Sequence, residues 1–349
     1  MSGLTFAPEI RMISQQDVAA PCTFWTGGNQ YNRYVRAEMP ATVLGATVAD
    51  PADLPSNPLS LQRGRVAVWQ AVATLPRANL IAQQEQQGIL TILESDDDYT
   101  TWDPKYARGD WVEHTIDRRS DHTGSVELHR QVAGFVDRVI VTNEELADRY
   151  LRFNDDVRVV PNAIFPGDWP PNAPRSHDVL RVGWLMSHAH ERVALRILPV
   201  LLEFAKRDDV QLYWIGLLPP KELRNRGIKA FAWHDSWTGF RDRICSLGLD
   251  VGIAPLWDDS FSRCKSDLKV LEYAMAGAMP LVSDVGPYRA WNDDDNVKTV
   301  SWTDWADALN WCADNKDQVR RRADQHTAHI LETRQIRHLE TDWRNAINL

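Results

Sequence analysis

The chain has 349 residues, too many for one ordinary hydrophobic core and comfortable for two domains of about 150 residues each. Its hydrophobic content of 44% and charged content of 25% are those of a soluble globular protein. A net charge of −9 argues against broad binding to nucleic acid or an anionic membrane, both of which need a basic surface, while leaving room for a local basic pocket.

The opening MSGLTFAPEIRMISQQD lacks a basic segment followed by an apolar run, so no signal peptide is expected. Short apolar runs then alternate with longer amphipathic ones, the rhythm of βαβ units. RVAVWQAV (65–72) reads as a buried strand, ANLIAQQEQQG (78–88) as a helix closed by Gly88, and ILTILE (89–94) as the next strand. SVELHRQVAGFV (125–136) reads as helix, RVIVTN (138–143) as strand and EELADRYLRF as helix, with VRVVPN ending the first half. PNAIFPGDWPPNAP (161–174) carries five prolines in fourteen residues, too little periodicity for helix or ladder, and is expected to be an interdomain hinge.

The rhythm then restarts. LRVGWL (180–185) is a strand, followed by a helix from about Ser187 to Arg207 with a kink expected at Pro199. The run ALRILPVLLEFA inside it contains Arg196 and is too short to span a bilayer. Further strands are expected at 210–216, 250–256 and 279–284, with helices between. WADALNWCADN places Trp305, Leu309 and Cys312 on one helical face, and the tail QIRHLETDWRNAI is amphipathic through Ile336, Leu339 and Trp343. The expected organisation is an N-terminal domain over 1–165, a hinge over 166–178, a C-terminal domain over 179–330, and a final helix over 331–349 packing back on the first domain. The fold class is α/β: two Rossmann-like parallel-sheet domains facing each other across a cleft at the carboxyl ends of their strands. Cys22, Cys245, Cys264 and Cys312 have no metal-ligand spacing and fit reduced thiols in a cytoplasm. Packing accounts for most of the fifteen tryptophans, although aromatic faces also stack on sugars.

KSDLKVLEYAMAG (265–277) carries the strongest chemical signal. At about 100° per residue Lys265, Lys269 and Glu272 share one stripe, while Val270, Leu271, Ala274 and Met275 point to a core. Such a stripe is either a solvated, salt-bridged face or the seat of an anion. Its place after a buried strand and a loop favours the anion, since a helix amino terminus offers unpaired N–H groups and a positive dipole end. GWLMSHAHERV offers a second helix start, with Ser187 as a cap and His188, His190 and Arg192 in or near the first turn. LESDDDYTTWD sets Asp96, Asp97 and Asp98 at a strand end, where they could hold a cation, act as a base or orient a hydroxyl, or cap loop N–H groups. His122 and His129 lie on or beside a following loop.

DVGIAPLWDDSFSRCKSDLKVLEYAMAGAMPLVSDVGPYR resembles the donor-binding region of GT-B-fold glycosyltransferases of family 4, or group 1: an acidic-apolar strand, a variable loop, Lys-Ser-x-x-Lys-x-x-Glu-Tyr, then Gly, Pro and a short strand. RVGWLMSHAHERVALRILPVL is similar to that family's opening strand and histidine-bearing helix, and VDRVIVTNEELADRYLRFNDDVRVVPNAIFPGDW to the end of its first domain. GILTILESDDDY is similar to an acidic segment in one branch, so the match spans roughly 65–315. The resemblance implies a nucleotide-diphosphate sugar donor, with Lys265 and Lys269 on the diphosphate, Ser266 assisting, Glu272 on the ribose, and His188 and His190 lining the phosphate. It implies that Asp97 and His122 orient the acceptor and that neither metal nor cofactor is needed. It also makes TGGNQYNRYVR (26–36) the segment standing in for a Gly-Gly loop, with Gly27, Gly28, Arg33 and Arg36 on the acceptor side beside Asp96 and Asp98.

One departure matters. Many retaining members carry a glutamate eight positions before the ribose-binding one, and here that position is Cys264. Either the contact is missing or Asp258 or Asp259 supplies it, which leaves donor identity and stereochemical outcome open. The acceptor is a hydroxyl on a glycan, a lipid-linked sugar, a protein or a modified nucleobase. Rival readings are a metal-dependent single-sheet transferase using the three aspartates, a sugar-nucleotide epimerase, and a sugar-nucleotide binding protein without catalysis.

Overall fold

The computed structural model describes residues 22–26, 30–50, 65–71, 74–101, 122–187, 190–233 and 236–349. These divide into two compact units. The first takes in the described residues up to Gly167 together with Cys264–Ser266 and Gln335–Leu349; the second comprises those of Asp168–Arg263 and Asp267–Arg334.

The first unit is built on a six-stranded, all-parallel sheet. Its strands are β1 (Cys22–Trp25), β2 (Thr47–Ala49), β3 (Val66–Gln70), β4 (Leu90–Ser95), β5 (Arg138–Val141) and β6 (Val157–Val159), in the order β2-β1-β3-β4-β5-β6. The crossovers are α1 (Gln30–Arg33) and α2 (Met39–Leu44), joined by a π-turn over Tyr34–Glu38, then α3 (Leu75–Gln86), α4 (His122–Phe135) and α5 (Glu144–Tyr150). The core strands are apolar runs buried on both faces, as parallel sheets require. Trp25, Trp69, Leu93 and Val141 meet Ile81, Val132 and Tyr150 from the helices on one face. α3 begins at Leu75, ahead of the 78 expected, because Thr74 is extended and Pro76 fits the first turn.

The second unit repeats the plan with β7 (Leu180–Leu185), β8 (Val210–Gly216), β9 (Lys229–Ala232), β10 (Val251–Ala254), β11 (Met279–Ser283) and β12 (Lys298–Val300). Its order is β12-β11-β10-β7-β8-β9, again all parallel. Its helices are α6 (Glu191–Phe204), α7 (Lys221–Arg224), α8 (Trp237–Ser246), α9 (Ser260–Arg263), α10 (Leu268–Met275), α11 (Trp305–Asp314) and α12 (Lys316–Thr333). α6 buries Val193, Ala194, Ile197, Leu201 and Phe204, one face of a helix, and continues through Pro199. α13 (Glu340–Ile347) belongs to the first unit, where Trp343 meets Phe24 edge-to-face at 5.9 Å.

Two expectations about elements are corrected. The Ser187 helix starts at Glu191, with His190 as its N-cap and the His190 N–H donating to the Ser187 carbonyl at 2.9 Å. The helix expected to open at Lys265 starts at Leu268, so Lys265 and Ser266 precede it and do not share its stripe. The edge strands β2, β9 and β12, not among those expected, carry no apolar run, and of their residues only Val300 is buried. All four cysteines are buried and free. Among the described residues no helix is long and apolar enough to cross a membrane.

Candidate functional site

In the second sheet the strand order turns between β7 and β10, and ligands of open α/β sheets sit at the carboxyl ends beside such a point. The segments leaving these two strands carry the candidates. α10 is fixed against the sheet by Tyr273, whose hydroxyl donates to the Ile253 carbonyl at 2.7 Å and accepts from the Leu185 N–H at 3.1 Å. The ring comes so close to the strand that a Cβ on Gly252 would lie 2.1 Å from it, which is why glycine stands there. Val270, Leu271, Tyr273 and Ala274 are fully buried.

Glu272, expected on the polar stripe, is only 2% exposed. Its Oε2 accepts from Lys269 Nζ at 2.7 Å, so the two expected donor ligands form a partly buried ion pair. The Lys269 ammonium lies 5.8 Å from the Trp233 ring centre and 6.0 Å from that of Phe240. Trp233 and Phe240 are 5.1 Å apart, and Trp237 stacks on Phe240 at 5.5 Å. Arg241 covers the Trp237 face and pairs with Asp168 at 3.2 Å. This aromatic patch escaped the sequence reading; the signal that could have found it is the run FAWHDSWTGF (231–240), four aromatics from the end of β9 into the start of α8.

On the other side of the switch point, His190 is the N-cap of α6 and its Nδ1 accepts from the Ser187 N–H at 3.1 Å. His188 lies outside the described residues. Asp258 and Asp259 are committed locally. Asp258 pairs with Arg263 at 2.6 Å, which holds its carboxyl below the usual range, and Asp259 accepts from the Ser262 N–H at 2.8 Å in α9.

In the first unit the three aspartates separate. Asp98 accepts from the N–H and hydroxyl of Thr100, at 3.0 and 2.6 Å, and from Thr101, and so caps its own turn. Asp97 faces Lys265 Nζ at 3.6 Å; burial raises its pKa and Lys265 opposes the rise. Asp96 accepts from the Tyr99 hydroxyl at 3.1 Å, and burial, with the charges of Asp97 and Glu94, pushes it up to about 7. Arg36 is buried on the same edge, its Nε donating to Glu94 Oε1 at 2.6 Å and its Nη1 to the carbonyls of Val160 and Pro161 and to Asn162 Oδ1. Arg33 is engaged with Glu38 at 2.7 Å. His129, which the resemblance gave no role, shares the Tyr150 hydroxyl with Ser95, at 2.7 and 2.6 Å.

Cys264 is fully buried in the apolar cluster of the first unit, where burial raises its thiol to about 11. Lys265 and the half-buried Ser266 share that unit. Gly27 and Gly28 lie outside the described residues, and of His122 only its position at the start of α4 is described. Among the described residues no group of three or more His, Cys, Asp or Glu side chains is arranged to hold a metal ion.

No family model matches the chain, and no curated protein matches it by sequence. Solved structures do. The sucrose-phosphate synthase of Thermosynechococcus elongatus is similar at a TM-score of 0.62, with 13% identity over 94% of this chain and 97% of that one. HepE of Anabaena, in complex with UDP and glucose, is similar at 0.66, with 9% identity over 95% and 100% of the two chains. The same protein in complex with UDP-glucose gives 0.64 at 11% identity, over 95% and 100% of the chains. At such identities a likeness shows architecture, and the two all-parallel six-stranded sheets with interleaved helices are that architecture: the chain has the GT-B fold, with two Rossmann-like domains.

Proposed function

We propose that the protein is a glycosyltransferase that moves a sugar from a nucleotide-diphosphate sugar to a hydroxyl acceptor, without a metal ion and with retention at the anomeric carbon. The observation that carries the reading is the Lys269–Glu272 pair on α10, at the switch point of the second sheet and flanked by Trp233 and Phe240. A cation at a helix start suits a diphosphate, a buried carboxylate suits ribose hydroxyls, and an aromatic face suits a base. The Lys-Ser-x-x-Lys-x-x-Glu-Tyr resemblance assigns the same residues, and HepE, with the same fold, has been solved with UDP-glucose.

The chemistry follows from charge. Breaking the anomeric C–O bond leaves negative charge on the diphosphate and positive character on the sugar ring. Lys269 and the N–H groups opening α10 stabilise the first, with His190 lining the phosphate from the start of α6. On the acceptor side Asp97 orients the hydroxyl. The resemblance also assigns Lys265 to the diphosphate; within the first unit its ammonium faces Asp97 at 3.6 Å.

A thermal-shift panel of UDP-, GDP-, ADP-, CDP- and dTDP-sugars, run with and without EDTA, tests the donor assignment. One nucleotide class is expected to raise Tm equally in both conditions; no response to any of them, or a response abolished by EDTA, contradicts it. The product anomer, read by proton NMR, tests retention.

A further inference from the structure

The first sheet also has a switch point, between β1 and β3, and the row of side chains there is unusual. The register sets Trp25 beside Trp69 and Gln70 beside Glu94, so Thr26, Gln70 and Glu94 follow one another across the carboxyl ends of β1, β3 and β4. All three are polar. Thr26 is 1% exposed and its hydroxyl has no hydrogen-bond partner. Arg36, 2% exposed, uses Nε and Nη1 but leaves Nη2 without one. Glu94 is fully buried, and its Oε2, beside the Gln70 amide, makes no bond of hydrogen-bond geometry. Buried polar atoms are ordinarily satisfied, because each orphan forfeits its hydration. The backbone at the same edge is held in a rare conformation: Ala71, next after β3, has φ 44, in the left-handed region that favours glycine.

We propose that this row is an acceptor subsite that reads the vicinal diol of an uncharged sugar. The inference rests on the transferase reading above. Arg36 Nη2 can only donate and Glu94 Oε2, as a carboxylate, can only accept, and both belong to one ion-paired couple. Adjacent sugar hydroxyls match that pattern, one accepting from the guanidinium and its neighbour donating to the carboxylate. Thr26 lies two strand spacings from Glu94, roughly 10 Å, which is the scale of a substituted monosaccharide ring. The charges select against ions. Among the described residues at this edge, Arg36 is neutralised by Glu94 and Lys265 faces Asp97, so each cation already has a carboxylate partner and a phosphate or carboxylate would have to compete for it.

The test uses initial rates with the nucleotide-sugar found by the thermal-shift panel and the methyl glycosides of glucose, mannose and galactose as acceptors. Their monodeoxy analogues, glucose 6-phosphate and methyl glucuronide complete the set. One uncharged glycoside is expected to be glycosylated, with the two anionic sugars poorer. Removal of one hydroxyl of its diol is expected to raise KM roughly tenfold, as for one lost hydrogen bond to a charged group. Thr26→Val and Glu94→Gln should each raise KM for the full glycoside by a similar factor, and Glu94→Gln should make the enzyme indifferent to the deoxy substitution. Should Glu94→Gln fail to fold, Thr26→Val and the deoxy series on the unaltered protein still decide. A nucleotide that binds normally while these changes leave KM alone, or while no uncharged glycoside is used, overturns the subsite and leaves the donor reading standing. A protein that binds none of the nucleotides removes the donor reading itself.

Discussion

Lys269 and Glu272 illustrate how a residue pattern and a residue environment can differ. The spacing Lys-x-x-Glu is ordinarily a solvated pair worth little, but Glu272 is buried, so the pair is asymmetric: its carboxylate depends on Lys269 for compensation. Lys269→Ala is therefore expected to lower kcat by about 10²–10³-fold through loss of a donor aimed at the leaving group. It should also lower Tm, because a buried carboxylate is left alone. Steady-state kinetics and a melting curve on the same preparation check both. Asp96 supplies a pH-dependent expectation. Its folded pKa, about 7, lies above the ordinary value of 3.8, so the folded chain binds this proton more tightly than the unfolded one. Stability from this group is complete below pH 4 and is lost as pH rises towards 7, by on the order of a few kcal/mol. Asp96→Asn should flatten that part of the pH–stability profile in denaturant unfolding; an unchanged slope would show that another group carries it. The sequence announced three aspartates but not their division of labour. That division depends on Thr100 and Thr101, on Lys265 far along the chain, and on Glu94 with Arg36, and no local pattern encodes it.

At the scale of elements, the central strands from β3 onward and the longer amphipathic helices were legible because a buried parallel strand is a plain apolar run and α6 repeats its apolar residues at helical spacing, whereas β1, four residues long and holding Thr23, was not read although it is fully buried. The misplaced starts at Ser187 and Lys265 share a cause. Both are polar segments whose backbone bonds are taken by a turn or by another part of the unit, competing with the helix they precede. Asn143, for instance, donates to the Lys265 carbonyl at 3.0 Å, and its Oδ1 caps α5. The edge strands β9 and β12 went unseen because they are four and three residues long and, Val300 apart, bury none of their side chains. Element packing makes its own prediction. Gly252→Ala puts a methyl group into the space held by the Tyr273 ring, and Tyr273 anchors α10 through Ile253 and Leu185. Overpacking of this kind typically costs 1–3 kcal/mol, and a displaced α10 should weaken nucleotide binding as well. Melting and UDP titration of the variant check it; wild-type values in both would mean that Tyr273 does not fix the helix.

Across the whole molecule, the chain builds two sheets of the same kind, and the last fifteen residues belong to the first of them. Trp343 is buried there against Phe24, under the Arg36 guanidinium at 4.9 Å, and Arg138 Nη1 donates to the Ala346 carbonyl at 2.7 Å. Truncation after Arg334 is expected to destabilise the first unit by at least the 3–5 kcal/mol typical of losing one buried tryptophan. Hydrogen exchange should then rise in β1 and β5 while β10 and β11 stay protected. The overall architecture was legible because an alternating rhythm of buried runs and amphipathic segments leaves few topologies open. The carboxyl edge of the first sheet was less so, since its polar row is assembled from Thr26, Arg36, Gln70 and Glu94, which only strand register and packing bring together.

The central claim is that α10 grips a nucleotide diphosphate through Lys269 and Glu272, and isothermal titration of UDP, GDP, ADP, CDP and dTDP into the wild type and Lys269→Ala tests it most directly. One nucleotide is expected to bind the wild type without added metal, and Lys269→Ala to bind it at least tenfold more weakly, as for the loss of a charge-assisted phosphate contact. Equal affinity in the two proteins, or no binding of any nucleotide to the wild type, would contradict it.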